Sequence, residues 1–189
     1  MTPDSSNTQG QFLIAMPSLA ESFFDHALIF MLEHDEDGAM GLIINQPLDI
    51  SVDEVLSQVG DGYPGDRYPQ PVMCGGPVEP QRGFVLHHTR HDHPWQGELP
   101  LQQGLSVTAS NDILEALAQG QPIGDFLLAL GYCGWGPGQL EQELADNAWL
   151  TVAADAEVMF NTAADKRLDA VARTLGIRYE QLTSSSGHA

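Results

Sequence analysis

The stretch His26-Ala-Leu-Ile-Phe-Met-Leu-Glu-His34, then Asp35-Glu-Asp-Gly38, then Ala39-Met-Gly-Leu-Ile-Ile-Asn45 decides the fold. Two apolar runs rich in β-branched and aromatic residues flank a short acidic segment ending in glycine. Such runs favour extended backbone, and Gly38 supplies the positive φ that a tight reversal needs. Residues 26–45 are therefore expected to form a β-hairpin.

Working outward, Gln11 to Met16 reads as a strand ended by Pro17, and Ser18 to Phe24 as a turn or short helix. Met1 to Gly10 is polar and lacks basic residues, which predicts a tail rather than a secretory signal. On the other side, Ser51-Val-Asp-Glu54 is a capping box opening a helix to about Val59. Gly60 to Pro71 reads as a loop. Strands are expected at 71–74, 83–88, 105–109, 125–132 and 149–153. Helices are expected at 111–119, capped by Ser110, at 137–147 and at 164–175. The segment 87–104 is polar, His-rich and irregular. Mixed strands and helices around a hairpin argue for an α+β fold. The expected organisation is a single domain over 11–183, with tails at 1–10 and 184–189.

Charge excludes some functions. The net charge is −19, from 26 acids against seven bases. No base precedes Arg67, and none lies between Arg90 and Lys166. Phosphate binding needs clustered cations, because counterion release drives it. The one basic cluster, Lys166, Arg167, Arg173 and Arg178, sits among Asp165, Asp169 and Glu180 and reads as a mixed-charge solvated face. Direct nucleic-acid binding and anionic membranes are thus disfavoured, while cationic partners are favoured. No apolar run approaches the ~20 residues of a membrane span. Two cysteines, Cys74 and Cys133, suit a reducing, cytoplasmic setting as small core residues.

Two glycine turns form the candidate site. In Gly131-Tyr-Cys-Gly-Trp-Gly-Pro-Gly-Gln139 a strand feeds a glycine loop and then a helix start, a geometry that can present N–H groups to an anion. It lacks the lysine and hydroxyl of a P-loop and the glycine spacing of a dinucleotide site, and Glu141, Glu143 and Asp146 follow at once. The alternative is close packing around Trp135. In Gly75-Gly-Pro-Val78, followed by Arg82-Gly83, Arg82 either anchors an anionic group or bridges to a neighbouring acid. The candidate pocket is therefore Gly75, Gly76, Arg82, Gly131, Gly134, Trp135, Gly136 and Gln139. His87, His88, His91 and His93 suggest metal, but Pro94 and the irregular setting deny the helix that would align them. Glu33 and His34 are strand neighbours pointing to opposite faces. No catalytic residue, metal or cofactor is assigned from these patterns.

An ordered set of motifs resembles one family. It comprises Phe12-Leu-Ile-Ala-Met-Pro-Ser18; Glu33-His34 with Gly38-Ala-Met-Gly-Leu42 and Asn45; Gly75-Gly-Pro-Val78 with Arg82-Gly-Phe-Val-Leu-His87; Gly131-Tyr132, Gly134-Trp-Gly136 and Gly138-Gln-Leu-Glu141; and Asn147-Ala-Trp-Leu-Thr151. Together they resemble the AlgH/YqgE family of bacterial proteins over nearly the whole chain. The resemblance implies an α+β fold with a mostly antiparallel, branched or barrel-like sheet surrounded by helices. It carries over no catalytic residue or cofactor. Some members bear a transcription-regulator label. Cys133 stands where the family pattern usually has Ala, and Cys74 where an aliphatic or other residue is common, which weakens any claim that a thiol is the family's functional group.

Three functions are compatible with this reading. The first is a non-enzymatic cytoplasmic protein that binds an unidentified protein or small molecule. The second is indirect regulation of transcription. The third is an enzyme acting on a nucleotide or other small metabolite.

Overall fold

A computed structural model describes residues 7–184. In chain order its strands are β1 (Gln11–Ala15), β2 (Leu28–Asp35), β3 (Gly38–Ile43), β4 (Pro47–Ser51), β5 (Pro71–Cys74), β6 (Val78–His88), β7 (Leu99–Pro100), β8 (Leu105–Thr108), β9 (Phe126–Trp135) and β10 (Trp149–Ala153). The helices are α1 (Val52–Val59), α2 (Asn111–Ala118), α3 (Gln139–Ala145), α4 (Ala156–Asn161), α5 (Ala164–Thr174) and α6 (Tyr179–Ser184). This is the α+β, mostly antiparallel arrangement expected. The chain divides into two compact units, residues 47–132 and the segments on either side of them.

In the flanking unit the strands run β10-β1-β2-β3 and then the end of β9, all antiparallel. The β2–β3 hairpin pairs Asp35 with Gly38 across a two-residue turn, and the Asp35 carboxylate accepts the Asp37 N–H. A Cβ on Gly38 would lie 2.3 Å from the Trp135 carbonyl oxygen, so only glycine fits there. Residues 28–32 are buried on both faces, which explains their unbroken apolar run. Asn45 closes the open end of the hairpin, accepting from Leu28 N and donating to the His26 carbonyl. Around it pack Leu13, Ile29, Met31, Ile43, Cys133, Trp135, Leu140 and Trp149. The buried Arg167 guanidinium donates to the carbonyls of Thr162 and Ile44, tying α5 to the residue after β3. Burial alone lowers its pKa to about 10. Of the expected N-terminal tail, residues 1–6 lie outside the described residues. Gly10 donates to the Met31 carbonyl and Gln9 to the Leu32 carbonyl, so the chain already lies along β2 there. Of the C-terminal tail, all but Ser184, the last residue of α6, lies outside the described residues.

In the unit 47–132, β9 has a neighbour on each side. It pairs parallel with β5 (Met73↔Ala129) and antiparallel with β6 (Phe84↔Ala129). β8 pairs with β6, β7 with β8, and β4 with β5. Helix α1 begins at the expected capping box: Ser51 accepts from Glu54 N, and the Glu54 carboxylate accepts from Ser51 N. Asp53 organises the glycine- and proline-rich loop after α1. Its Oδ1 accepts from the Tyr63 hydroxyl (2.5 Å), Tyr68 N (2.8 Å) and Arg67 N (3.2 Å). Burial pushes the Asp53 carboxyl up, but these three donors together outweigh it and hold it below the usual aspartate value. Burial and the adjacent Asp53 push the Tyr63 phenol up to about 12. Val52, Leu56, Val72, Val85, Trp95, Ile113, Leu117 and Leu128 fill the core.

Candidate functional site

The second glycine turn is built around one carboxylate. Strand β9 delivers Trp135, which is 7% exposed. Gly138 adopts a left-handed φ of 73°, so α3 starts at Gln139, two residues later than Pro137 suggests. The Gln139 side chain folds back: its Oε1 accepts Gly136 N at 3.0 Å and its Nε2 donates to Glu143 Oε1 at 3.1 Å. The other oxygen, Glu143 Oε2, accepts both the Trp135 and Trp149 indole N–H groups at 2.8 Å. The two indoles meet edge to face, 6.0 Å between centroids. Gly134, Trp135, Gly136 and Gln139 are thus brought together as parts of a clasp closed by Glu143. Sequence reasoning missed Glu143 and Trp149; the four-residue spacing from Gln139 to Glu143 was the available signal.

The first turn is a close backbone crossing. Gly75 N donates to the Leu130 carbonyl at 2.8 Å. A Cβ on Gly75 would lie 2.2 Å from the Gly131 carbonyl oxygen, and one on Gly131 would lie 2.4 Å from that of Gly76. Gly131 also has φ of 77°. Three of the singled-out glycines therefore lock β5, β6 and β9 together. The next segment stands out from the sheet. Val78 pairs with Tyr132 and Gly83 with Leu130, so Glu79–Arg82 stand opposite Gly131 alone. Residues 78–82 are all exposed, and Glu79 holds a left-handed φ of 45°. Arg82 pairs with Glu79 at 3.2 Å, and its guanidinium lies 5.1 Å from the Phe84 ring centroid. The partner is the local acid that the sequence allowed for, and the guanidinium remains half-exposed.

The histidines separate by depth. His87 lies on β6, within the strand expected at 83–88, and is fully buried. Its Nδ1 donates to the His88 carbonyl at 2.8 Å, which leaves Nε2 to accept from the Thr108 hydroxyl at 2.9 Å. Burial pushes its pKa down, so the ring is held neutral. Among the described residues no group of three His, Cys, Asp or Glu side chains is arranged to hold a metal. His34 is also buried, while Glu33 on the same strand is exposed, as the strand period requires. His34 Nε2 lies 3.1 Å from Glu141 Oε1, and Thr8 meets its Nδ1. Cys133 is buried against the flanking-unit core, and Cys74 is half-buried. No helix among the described residues is long and apolar enough to cross a membrane.

Known proteins share this architecture throughout. The AlgH-like family profile matches residues 12–180. The UPF0301 protein of Thioalkalivibrio sulfidiphilus is 46% identical over 185 residues, covering 98% of each chain. That of Hahella chejuensis is 42% identical over the full length of both chains. The solution structure of the AlgH protein from Pseudomonas aeruginosa is 39% identical, covers 100% of both chains and superposes with a TM-score of 0.76. A crystal structure from Corynebacterium diphtheriae, 21% identical with TM-score 0.73 over 93% of this chain and 91% of its own, shares the fold. With the profile spanning most of the chain and relatives above 40% identity end to end, the chain belongs to the AlgH-like family.

Proposed function

We propose that this is a non-enzymatic, cytoplasmic protein-binding module, acting through the segment Val78–Arg82 and the glycine crossing beneath it. The observation that supports this is an exposed strand segment whose pairing with β9 is interrupted by a bulge. Five consecutive exposed residues, Val78–Arg82, follow the crossing of Gly75, Gly76 and Gly131, where the backbones approach too closely for a Cβ. Preorganised backbone lowers the ordering cost of association. Val78, 37% exposed, supplies an apolar contact, and Arg82 a fork of donors. Arginine is enriched among residues that dominate interface energies. The polar groups of Trp135, Gln139 and Glu143 are engaged with one another, which suits a scaffold more than a reaction centre.

Affinity capture from a bacterial extract tests the reading. Immobilised wild-type chain retains a specific protein, and Val78→Asp releases it while leaving the melting temperature unchanged. Equal retention by both columns contradicts the proposal.

A further inference from the structure

One cluster brings together a hydroxyl, an imidazole, a carboxylate and a peptide bond. Thr8 is 3% exposed, and both its Oγ1 and its backbone N lie 3.0 Å from His34 Nδ1. The amide can only donate, so Nδ1 carries no proton. The proton is therefore on Nε2, which donates to Glu141 Oε1 at 3.1 Å. A hydroxyl within reach of a bare imidazole nitrogen, with the ring oriented by a carboxylate, is the arrangement that activates a nucleophile. The electrophile is next door. The carbonyl of the exposed residue Asn7, bonded to Thr8 N, accepts a hydrogen bond from Gln11 Nε2 at 3.2 Å, where oxyanion charge would develop.

We propose that the chain cleaves its own Asn7–Thr8 peptide bond. Thr8 Oγ1 attacks the Asn7 carbonyl carbon, and His34 Nδ1 takes the hydroxyl proton. The C–N bond breaks, and Nδ1 passes that proton to the departing Thr8 nitrogen, which it already contacts. The product is an ester of Asn7 on Thr8, with a free amine at Thr8. Water then attacks the ester carbonyl, restoring the Thr8 hydroxyl and releasing the preceding segment with an Asn7 carboxylate. No oxidant, reductant or cofactor is consumed. Burial of Thr8 is no obstacle to the acyl shift, because the hydroxyl attacks its own chain, and the acyl residue Asn7 is exposed to the water that resolves the ester. Gln11 and Glu141 act as the oxyanion donor and the positioning residue.

Intact-mass spectrometry of the purified full chain, incubated at neutral pH, tests the proposal. Wild type and Thr8→Ser convert to a chain beginning at residue 8, and hydroxylamine speeds the conversion by intercepting the ester. Thr8→Val keeps the shape and the backbone bond to His34 but lacks the hydroxyl, and it stays full-length. Wild type remaining full-length overturns the proposal, and so does equal cleavage of the Thr8→Val chain.

Discussion

At the scale of single residues, the informative side chains are polar groups placed inside. His87 stays neutral in the fold because burial opposes its charge. The unfolded chain takes up a proton near the ordinary value of 6.5, whereas the folded chain does so only at lower pH. The unfolded state then binds more protons, so stability is intact above pH 6.5 and is lost as pH falls below it. The slope contributed by one such group approaches about 1.4 kcal/mol per pH unit. Denaturant melts of wild type and His87→Gln between pH 7 and 5 check this: the variant is less stable throughout but has the flatter pH dependence. An identical slope in both contradicts the assignment. Glu143 is fixed in place by hydrogen bonds, with both indole N–H groups pointing at one of its oxygens. The four-residue spacing signals the Gln139–Glu143 pair, but no pattern signals that both indoles converge on Glu143, since Trp135 and Trp149 are brought together only by the folding of the chain around α3.

At the scale of elements, reading went furthest where local chemistry is strong. The 26–45 hairpin, the Ser51 capping box, β10 at its observed bounds and α5 to within a residue follow from periodicity, capping and glycine stops. The weak elements escaped. Strand β4 starts at a proline and, among the described residues, partners only β5, β7 has two residues, and α4 and α6 are single short helices. Nothing in a six-residue window separates these from turns, and tertiary contacts decide them. Strand β6 is longer than its apolar part because its first half is held by backbone crossing rather than by side chains. The candidate glycines were legible as needing room, but which backbone each would meet was not. Gly131→Ala tests that crossing. Its Cβ would lie 2.4 Å from the Gly76 oxygen at φ 77°, so the variant loses about 3 kcal/mol or more. Thermal melts read the loss, and a near-neutral result denies the crossing its role.

For the whole molecule, charge is the governing quantity. With net charge −19 and seven bases, five of which hold an acid, a carbonyl or an aromatic ring, little positive surface remains for phosphate contacts. A gel shift at low salt with duplex DNA is expected to show no complex, and a salt-sensitive complex would restore direct transcription control as a function. The same field draws basic protein surfaces, which agrees with a protein-binding role. Val78–Arg82 reads as a docking strand and the Trp135–Gln139–Glu143 cluster as a structural clasp, and one paired measurement tests both assignments. Partner capture and melting temperature are recorded side by side for Arg82→Glu and Trp135→Phe. Arg82→Glu is expected to weaken capture by about 30-fold, the size of a 2 kcal/mol hot spot, with its melting temperature unchanged. Trp135→Phe is expected to lose about 1–2 kcal/mol of stability with the indole hydrogen bond, yet capture as well as wild type. The reverse pattern, capture lost with Trp135 and kept without Arg82, contradicts the account.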